Sequence, residues 1–442
     1  MASSFLDVCR FISGVAGTAD FTVGSALAGY QTPSTAGAIT SASYSYRAES
    51  ADLTLWEIGI GTWSGTTLGR QIVLANSLGT TGKISFSTTP IVGIGALSAD
   101  LNTLRGDTNA LRNGCFDIWQ RGTSFTNTAT GTFQYGPDGW MLDSVGAACT
   151  IAQVFATGNS QWAAQITGAT SNTDVQLMQR IESNKAAKLA GRRCTLQALI
   201  TNNSGATITP TAGAAFPNAV DNWTTATNDL NAVSFQSIPN NGVVRVALTF
   251  LVSLNAKNGY EVWFDFGALN ANTKTIAITE VDLQPTPSFP AGLTSFPPPI
   301  FFRDPSDELM LAYRYLYPVA QGQVGLGTSI VLPSLGARTS STTIDIPVSL
   351  PLPMRIPPFG FVGTTPTWQA SNPTSGNVVA FFDNNVPGFL TNAGTISVSL
   401  SGGSARGGLL RFSSTAAYSG SQGDNGNLFV SPNVNLLLTA EL

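Results

Sequence analysis

The sequence predicts an all-β protein: a small N-terminal β domain, a short coiled-coil helix, and two β-sandwich domains of the jelly-roll kind. Three observations carry this. Short apolar stretches recur along the whole chain, bounded by Gly, Pro, Asn and Ser, which is the pattern of many strands joined by turns. Only 10% of the 442 residues are charged, against 45 Gly and 24 Pro, so Ser, Thr and Asn must supply the solubility. Helical periodicity is clear only once, near residue 100. A chain this long has room for about three domains with real cores.

Composition also excludes function classes. The absence of histidine removes the commonest general base, the commonest zinc ligand and any Ser-His-Asp nucleophile. No enzyme activity, cofactor or metal is expected. A net charge of −4 and a pI near 4.9 argue against nucleic acid or anionic lipid as partner. Cys9, Cys115, Cys149 and Cys194 lack CxxC spacing and read as buried free thiols of a protein made in a reducing cytosol. The start, MASSFLDVCRFISGVAG, has neither the basic n-region nor the unbroken apolar core of a signal peptide, and no run is long enough for membrane insertion.

Residues 1–95 form the expected first domain, with strands at 20–23, 43–48, 53–60, 69–76 and 83–87. Within it, WEIGIGTWSGTTLGRQIVLANS has GxGxxxG spacing with β-like sequence after it, so a Gly-rich hairpin is expected in place of a nucleotide loop. Over 96–112, Leu97, Leu101, Leu104, Thr108 and Leu111 are spaced four, three, four and three, a heptad seam. One helix of about four turns is marginal alone. Leu97, Leu101, Leu104 and Leu111 therefore either gather identical copies, as a homotrimer, or pack on a neighbouring sheet.

Residues 113–285 read as one jelly roll, with strands at 176–181, 193–201, 242–253, 259–266 and 275–284. Phe116, Ile118 and Trp140 supply core anchors, Trp119 and Arg121 a stacked edge pair, and Trp162, Trp223 and Trp263 mainly core. The proline-dense 286–303 segment reads as an extended spacer. The last sandwich, 304–442, has strands expected at 325–332, 342–350, 377–382, 395–400, 408–413 and 433–440.

Several of these stretches carry a resemblance. WEIGIGTW…TTLGRQIVLANS…ISFS, from Trp56 to Ser87, looks like the small N-terminal β domain of tailed-phage fibre and minor virion proteins. NGCFDIWQRGTSF followed by YGPDGWMLD resembles the opening of jelly-roll domains in tail fibres, matched at Asn113, Gly114, Phe116, Trp119, Gln120, Arg121, Gly122, Thr123 and Ser124, then Asp138 and Trp140. Cys115 stands where a polar residue is usual. QLMQRIESNKAAKLAGRRCTLQ and DLQP are similar to the carbohydrate-binding type of jelly roll. Glu308, Leu309, Arg314 and Tyr315, and later Met354-Arg355, resemble two further elements of phage fibre proteins, with Ala312 replacing the usual Cys.

The resemblance implies a fibre or spike on the surface of a phage or phage-like particle, made in the bacterial cytoplasm. Its N-terminal domain would hold other virion structural proteins, and its far end would bind host-surface polysaccharide, copies adding weak contacts together. A capsid-decorating or connector protein without a receptor, and a polysaccharide depolymerase, stay open as alternatives.

For chemistry at a glycan, hydrolysis needs two carboxylates about 5 to 10 Å apart, and no motif pairs Glu261, Asp265, Asp282 or Asp383. The Asp/Asn loops at 383–385 and 423–427 lack EF-hand spacing and read as turns. Sugar binding needs an exposed aromatic beside short polar side chains. Trp368, in PTWQASNPTSGN, and Tyr418, in AAYSGSQGDNGN, are the expected glycan-binding residues.

Overall fold

The computed structural model describes residues 6–97, 100, 109–127, 131–287, 289–295, 297–321, 330–356, 358, 360–362, 366–371, 378–385, 387–430 and 435–441. The chain is nearly all β, as the turn-punctuated apolar pattern requires. It divides into two compact units that interleave along the sequence: Met1–Cys115 with Phe155–Phe302, and Phe116–Val154 with Arg303–Leu442.

The first unit begins with strands β1 (Cys9–Ser13), β2 (Phe21–Ala26), β3 (Ser43–Glu49), β4 (Trp56–Thr62), β5 (Thr67–Leu68), β6 (Ile72–Asn76) and β7 (Ile91–Ile94). They form one sheet in the order β5-β2-β1-β7-β3-β4-β6, closed over Phe11, Phe21, Tyr44, Tyr46, Trp63 and Phe86. The Gly-rich run is indeed a hairpin, β4 pairing antiparallel with β6 and Gly65 supplying a left-handed turn at φ 102°. The expected strand at 83–87 reduces to a bridge between Gly17 and Phe86.

The run from Trp56 to Ser87 holds a buried polar knot. Glu57 and Arg70 form an ion pair with both side chains fully enclosed. Tyr46 Oη donates to Glu57 Oε1 at 2.6 Å and the Ile84 amide to Oε2 at 2.7 Å. Arg70 donates to the carbonyls of Gly17, Ala19 and Ile84 and lies 4.8 Å over the Phe21 ring. Every charge taken from water is thereby compensated, the condition under which such a pair is tolerated in a core.

Residues 155–302 add a sandwich of strands β8 (Trp162–Thr167), β9 (Asp174–Ile181), β10 (Arg193–Asn203), β11 (Thr211–Ala219), β12 (Asn222–Ser234), β13 (Gly242–Leu251), β14 (Tyr260–Asp265), β15 (Thr275–Pro285) and β16 (Gly292–Leu293). Within this unit one sheet runs β12-β11-β14-β9 and the other β16-β13-β10-β15-β8. Alternation sets the faces: Leu177, Ala212, Ala214, Val262 and Phe264 are buried from one sheet, and Leu196, Ile200, Val246, Leu248, Ile276 and Ile278 from the other. The β11–β12 hairpin escaped the sequence reading because no position of β12 is buried, leaving no apolar alternation to see.

Leu101, Leu104 and Thr108 lie outside the described residues, as do 325–329 of an expected strand. The two described ends of the heptad seam are engaged within the chain. Leu97 packs with Ile60, Leu74 and Phe289. Leu111 is 0% exposed, in a segment where Asn109 Nδ2 donates to the Val281 carbonyl at 2.9 Å and the Gln179 side chain bonds both the amide and the carbonyl of Arg112. Leu111 is thus a core residue of its own unit, in line with the second of the two arrangements its spacing left open.

The 286–303 segment is likewise no free spacer. Phe289 is buried, Gly292–Leu293 pairs with β13, and Gln197 and Gln284 donate side-chain N–H groups to the carbonyls of Pro298 and Pro299. Prolines keep their carbonyl acceptors after losing the N–H, so the run is extended yet pinned.

In the second unit, Ser124–Thr126 pairs with Thr150–Phe155, and Gln134–Tyr135 with Met141–Val145. Residues from 303 onward add the helix Pro305–Tyr313, N-capped by Asp304 with proline in its first turn. A three-stranded sheet joins Leu316–Gln321, Asn435–Thr439 and Gly360–Val362, and a larger sheet has eight strands. The latter covers Ile344, Ile346, Phe381, Leu410, Phe412 and Leu428.

Here too the resemblance residues act structurally. Trp140 is fully buried 5.4 Å from Phe116, and Gln120 bonds both carboxylate oxygens of Asp138 at 2.7 Å. Trp119 and Arg121 do not stack on one another: Trp119 stacks on Phe125 at 6.1 Å, while Arg121 lies 5.1 Å over Tyr135 and pairs with Glu441. The Arg355 amide donates to the Arg314 carbonyl at 2.8 Å and its guanidinium to the carbonyls of Ala440 and Glu441. All four cysteines are free thiols, and burial pushes Cys194 up to about 12. Among the described residues, no helix is long and apolar enough to cross a membrane.

Candidate saccharide-binding face

Trp368 and Tyr418 do come together, with ring centroids 4.7 Å apart. They meet as packing, however. Tyr418 is 3% exposed within the core of the second unit, Trp368 packs on the same cluster, and its indole N–H is spent on the Leu390 carbonyl at 2.8 Å. An open platform is therefore not what this pair forms. Asp383 and Asp424 accept the amides of Asn385 and Ser421, which is turn geometry.

The stronger candidate lies on the sandwich of the first unit. Strand β14 is flanked by β9 and β11, and register sets three rows on its outward face. Thr211, Asp265 and Gln176 are level, then Gly213, Trp263 and Met178, then Ala215, Glu261 and Arg180. The intervening Val262 and Phe264 are fully buried, whereas Glu261, Trp263 and Asp265 are half-buried. Trp263 lies flat across the sheet: a Cβ on Gly213 would overlap its indole ring. Glycine at 213 is what permits that pose.

Polar groups flank the ring on both sides. Arg180 donates to Glu261 at 2.8 Å and sits 4.8 Å over the ring of Trp223. The Trp223 indole N–H is enclosed without an acceptor among the described residues. On the other side Gln176 donates to Asp174 at 3.0 Å and to Asp265 at 3.4 Å. Burial raises the pKa of Glu261 against the opposing pull of Arg180. Burial also raises that of Asp265, and the neighbouring Asp174 carboxylate adds to it.

Spacing limits the chemistry. Glu261 and Asp265 are four residues apart on one strand, about 13 Å at ~3.3 Å per residue, beyond the roughly 5–9.5 Å that acid/base pairs at a glycosidic bond require. An apolar ring between hydrogen-bonding rows is the arrangement that receives the apolar face of a sugar and its rim of hydroxyls. Sequence reading placed Trp263 in the core. Its signal was present in YEVWFD, where Trp263 shares the parity of Glu261 and Asp265 and opposes that of Val262 and Phe264.

No family model matches the sequence, and no curated protein matches it. Among solved structures the chain is similar to the CBM22-1 and GH10 modules of Clostridium thermocellum xylanase 10B complexed with xylohexaose, at 12% identity and a TM-score of 0.27, covering 41% of this chain and 29% of that one. It is similar to the enzymatically active domain of bacteriophage CBA120 tailspike protein 4, at 16% identity and a TM-score of 0.27, covering 43% and 22%. A third similarity is to TmCBM61 in complex with beta-1,4-galactotriose, at 9% identity and a TM-score of 0.24, covering 40% and 99%. The chain thus spans less than a third of the length of the first two.

Proposed function

We propose that this protein binds carbohydrate without cleaving it, through the outward face of β12-β11-β14-β9. The observation that carries the reading is Trp263 lying flat over Gly213 between two polar rows. Carboxylates dominate those rows, and their one cation, Arg180, is paired with Glu261. The preferred ligand is accordingly a neutral or amino sugar, since an acidic saccharide would meet like charge.

The order of the sequence motifs supports a surface fibre or spike of a phage or phage-like particle as the setting, attaching to host polysaccharide with copies adding their weak contacts. Engagement of Leu97 and Leu111 within their own unit favours attachment of copies by other residues than those two. A glycan array with the full chain and its Trp263→Ala variant tests the binding site. Loss of neutral-glycan signals in the variant is expected, at tenfold or more, about 1.4 kcal/mol. Equal binding by the two proteins overturns the assignment.

A further inference from the structure

On the other sheet of the same sandwich, a cleft of about 420 Å³ is lined by Asn159, Arg245, Glu280, Ser295, Ile300 and Phe302, with Ser43 and the proline run beside them. That volume lies in the range of small-molecule sites, roughly 300–1,000 Å³. We infer that this cleft is a second saccharide site, selective for a sugar that carries a carboxylate, such as a uronic acid residue.

Hydrogen-bond accounting carries the inference. Glu280 sits in a β-bulge of β15, where the pairing with β10 shifts register, and takes the left-handed backbone at φ 52°. Such strain in a non-glycine residue persists where surrounding structure holds it and clusters at binding sites. Its carboxylate is fully enclosed and already committed: the amides of Asn159 and Ser160 donate to Oε1, and Arg245 Nη2 pairs with Oε2. The nearby carbonyls of Pro298 and Pro299 are taken by Gln197 and Gln284. What the cleft retains is one partly open cation. Arg245 keeps 28% of its side chain open beside Glu280, although its unpartnered Nη1 is itself enclosed. The Ser295 hydroxyl and the Asn159 side-chain amide, each able to donate or accept, line the cleft with it. A partly open guanidinium among short polar side chains favours a ligand carboxylate above other acceptors.

The remaining walls suit a sugar ring. Ile300 and Phe302 supply apolar surface. The 155–162 hairpin that carries Asn159 also presents Phe155, 75% exposed, stacked at 4.8 Å on Trp162, a ledge on which further sugars of a chain can lie. This site is independent of Trp263, so either can fail without the other.

The test is calorimetric titration of the Trp263→Ala chain, in which the neutral-sugar face is removed, with glucuronic and galacturonic acids, and with glucose and galactose as neutral counterparts. Binding of the acids at least tenfold tighter than the neutral sugars is expected. Arg245→Gln should abolish that preference. Because removing the guanidinium strands the enclosed Glu280, Ser295→Trp serves as a second variant: it fills the cleft, leaves the ion pair in place, and should weaken acid binding at least tenfold. Trp263→Ala should leave acid binding unchanged. Equal affinity for acid and neutral sugars, no binding of either, or full acid binding by Ser295→Trp overturns the inference.

Discussion

Arg121 and Glu441, separated by 320 positions, form an ion pair whose side chains are only 7% and 4% exposed. Together with Arg355 on the Ala440 and Glu441 carbonyls, it ties the end of the chain to residues near position 120. Removing one partner of a buried pair leaves an uncompensated charge. Glu441→Ala should therefore lower the stability of the second unit by about 3–5 kcal/mol, read as an earlier urea transition, and Arg121→Ala should match it.

Glu57 holds the N-terminal sheet in the same manner. Glu57→Gln retains size but strands the enclosed Arg70 guanidinium, and a loss of about 3–5 kcal/mol is expected. Hydrogen exchange confined to β3, β4 and β6 would locate the effect. A change within 0.5 kcal/mol would contradict the compensation described for the knot.

The Asp265 carboxyl has a folded pKa above its ordinary value of about 3.9. A carboxyl raised in this way contributes its stability in full below the unfolded pKa and loses it as pH rises through the folded pKa. Asp265→Asn should accordingly flatten the decline of the melting temperature of the first unit between the unfolded and the folded pKa and raise it at neutral pH. An unchanged pH profile would count against the repulsion from Asp174.

Asp345 behaves in the opposite sense. The hydrogen bond from Arg411, at 2.8 Å to Oδ1, holds its carboxyl below the usual range. Its contribution is present above the unfolded pKa and disappears as pH falls through the lowered value. Asp345→Asn should make the second unit less stable at neutral pH and remove part of its acid sensitivity, as followed by thermal melts from neutral to strongly acid solution.

Much of the fold was legible because turn residues and apolar alternation report strands directly. The hairpin after Trp56 and the strands near 176, 193, 242, 259 and 275 all follow from local chemistry. What stayed hidden was set at long range. Leu111 looks like a seam residue until the sandwich into which it packs is known. Tyr418 sits in a polar loop sequence, yet its ring points into the core. Trp263 is called outward only once the buried parity of Val262 and Phe264 is established across three paired strands. Phe155 and Glu280 had no local signal at all, since a bulge and a left-handed backbone at a glutamate are decided by neighbours far along the chain.

The interleaving of the two units also orders the birth of the molecule. Residues 116–154 leave the ribosome long before 303–442, the partners that complete their unit. At ~5–20 residues per second that wait lasts some tens of seconds, during which residues 116–154 lack the later part of their unit. Nascent chains should be most prone to capture by holding chaperones in this interval, and a stop codon placed just after the proline run should yield an aggregating product in place of a smaller folded one.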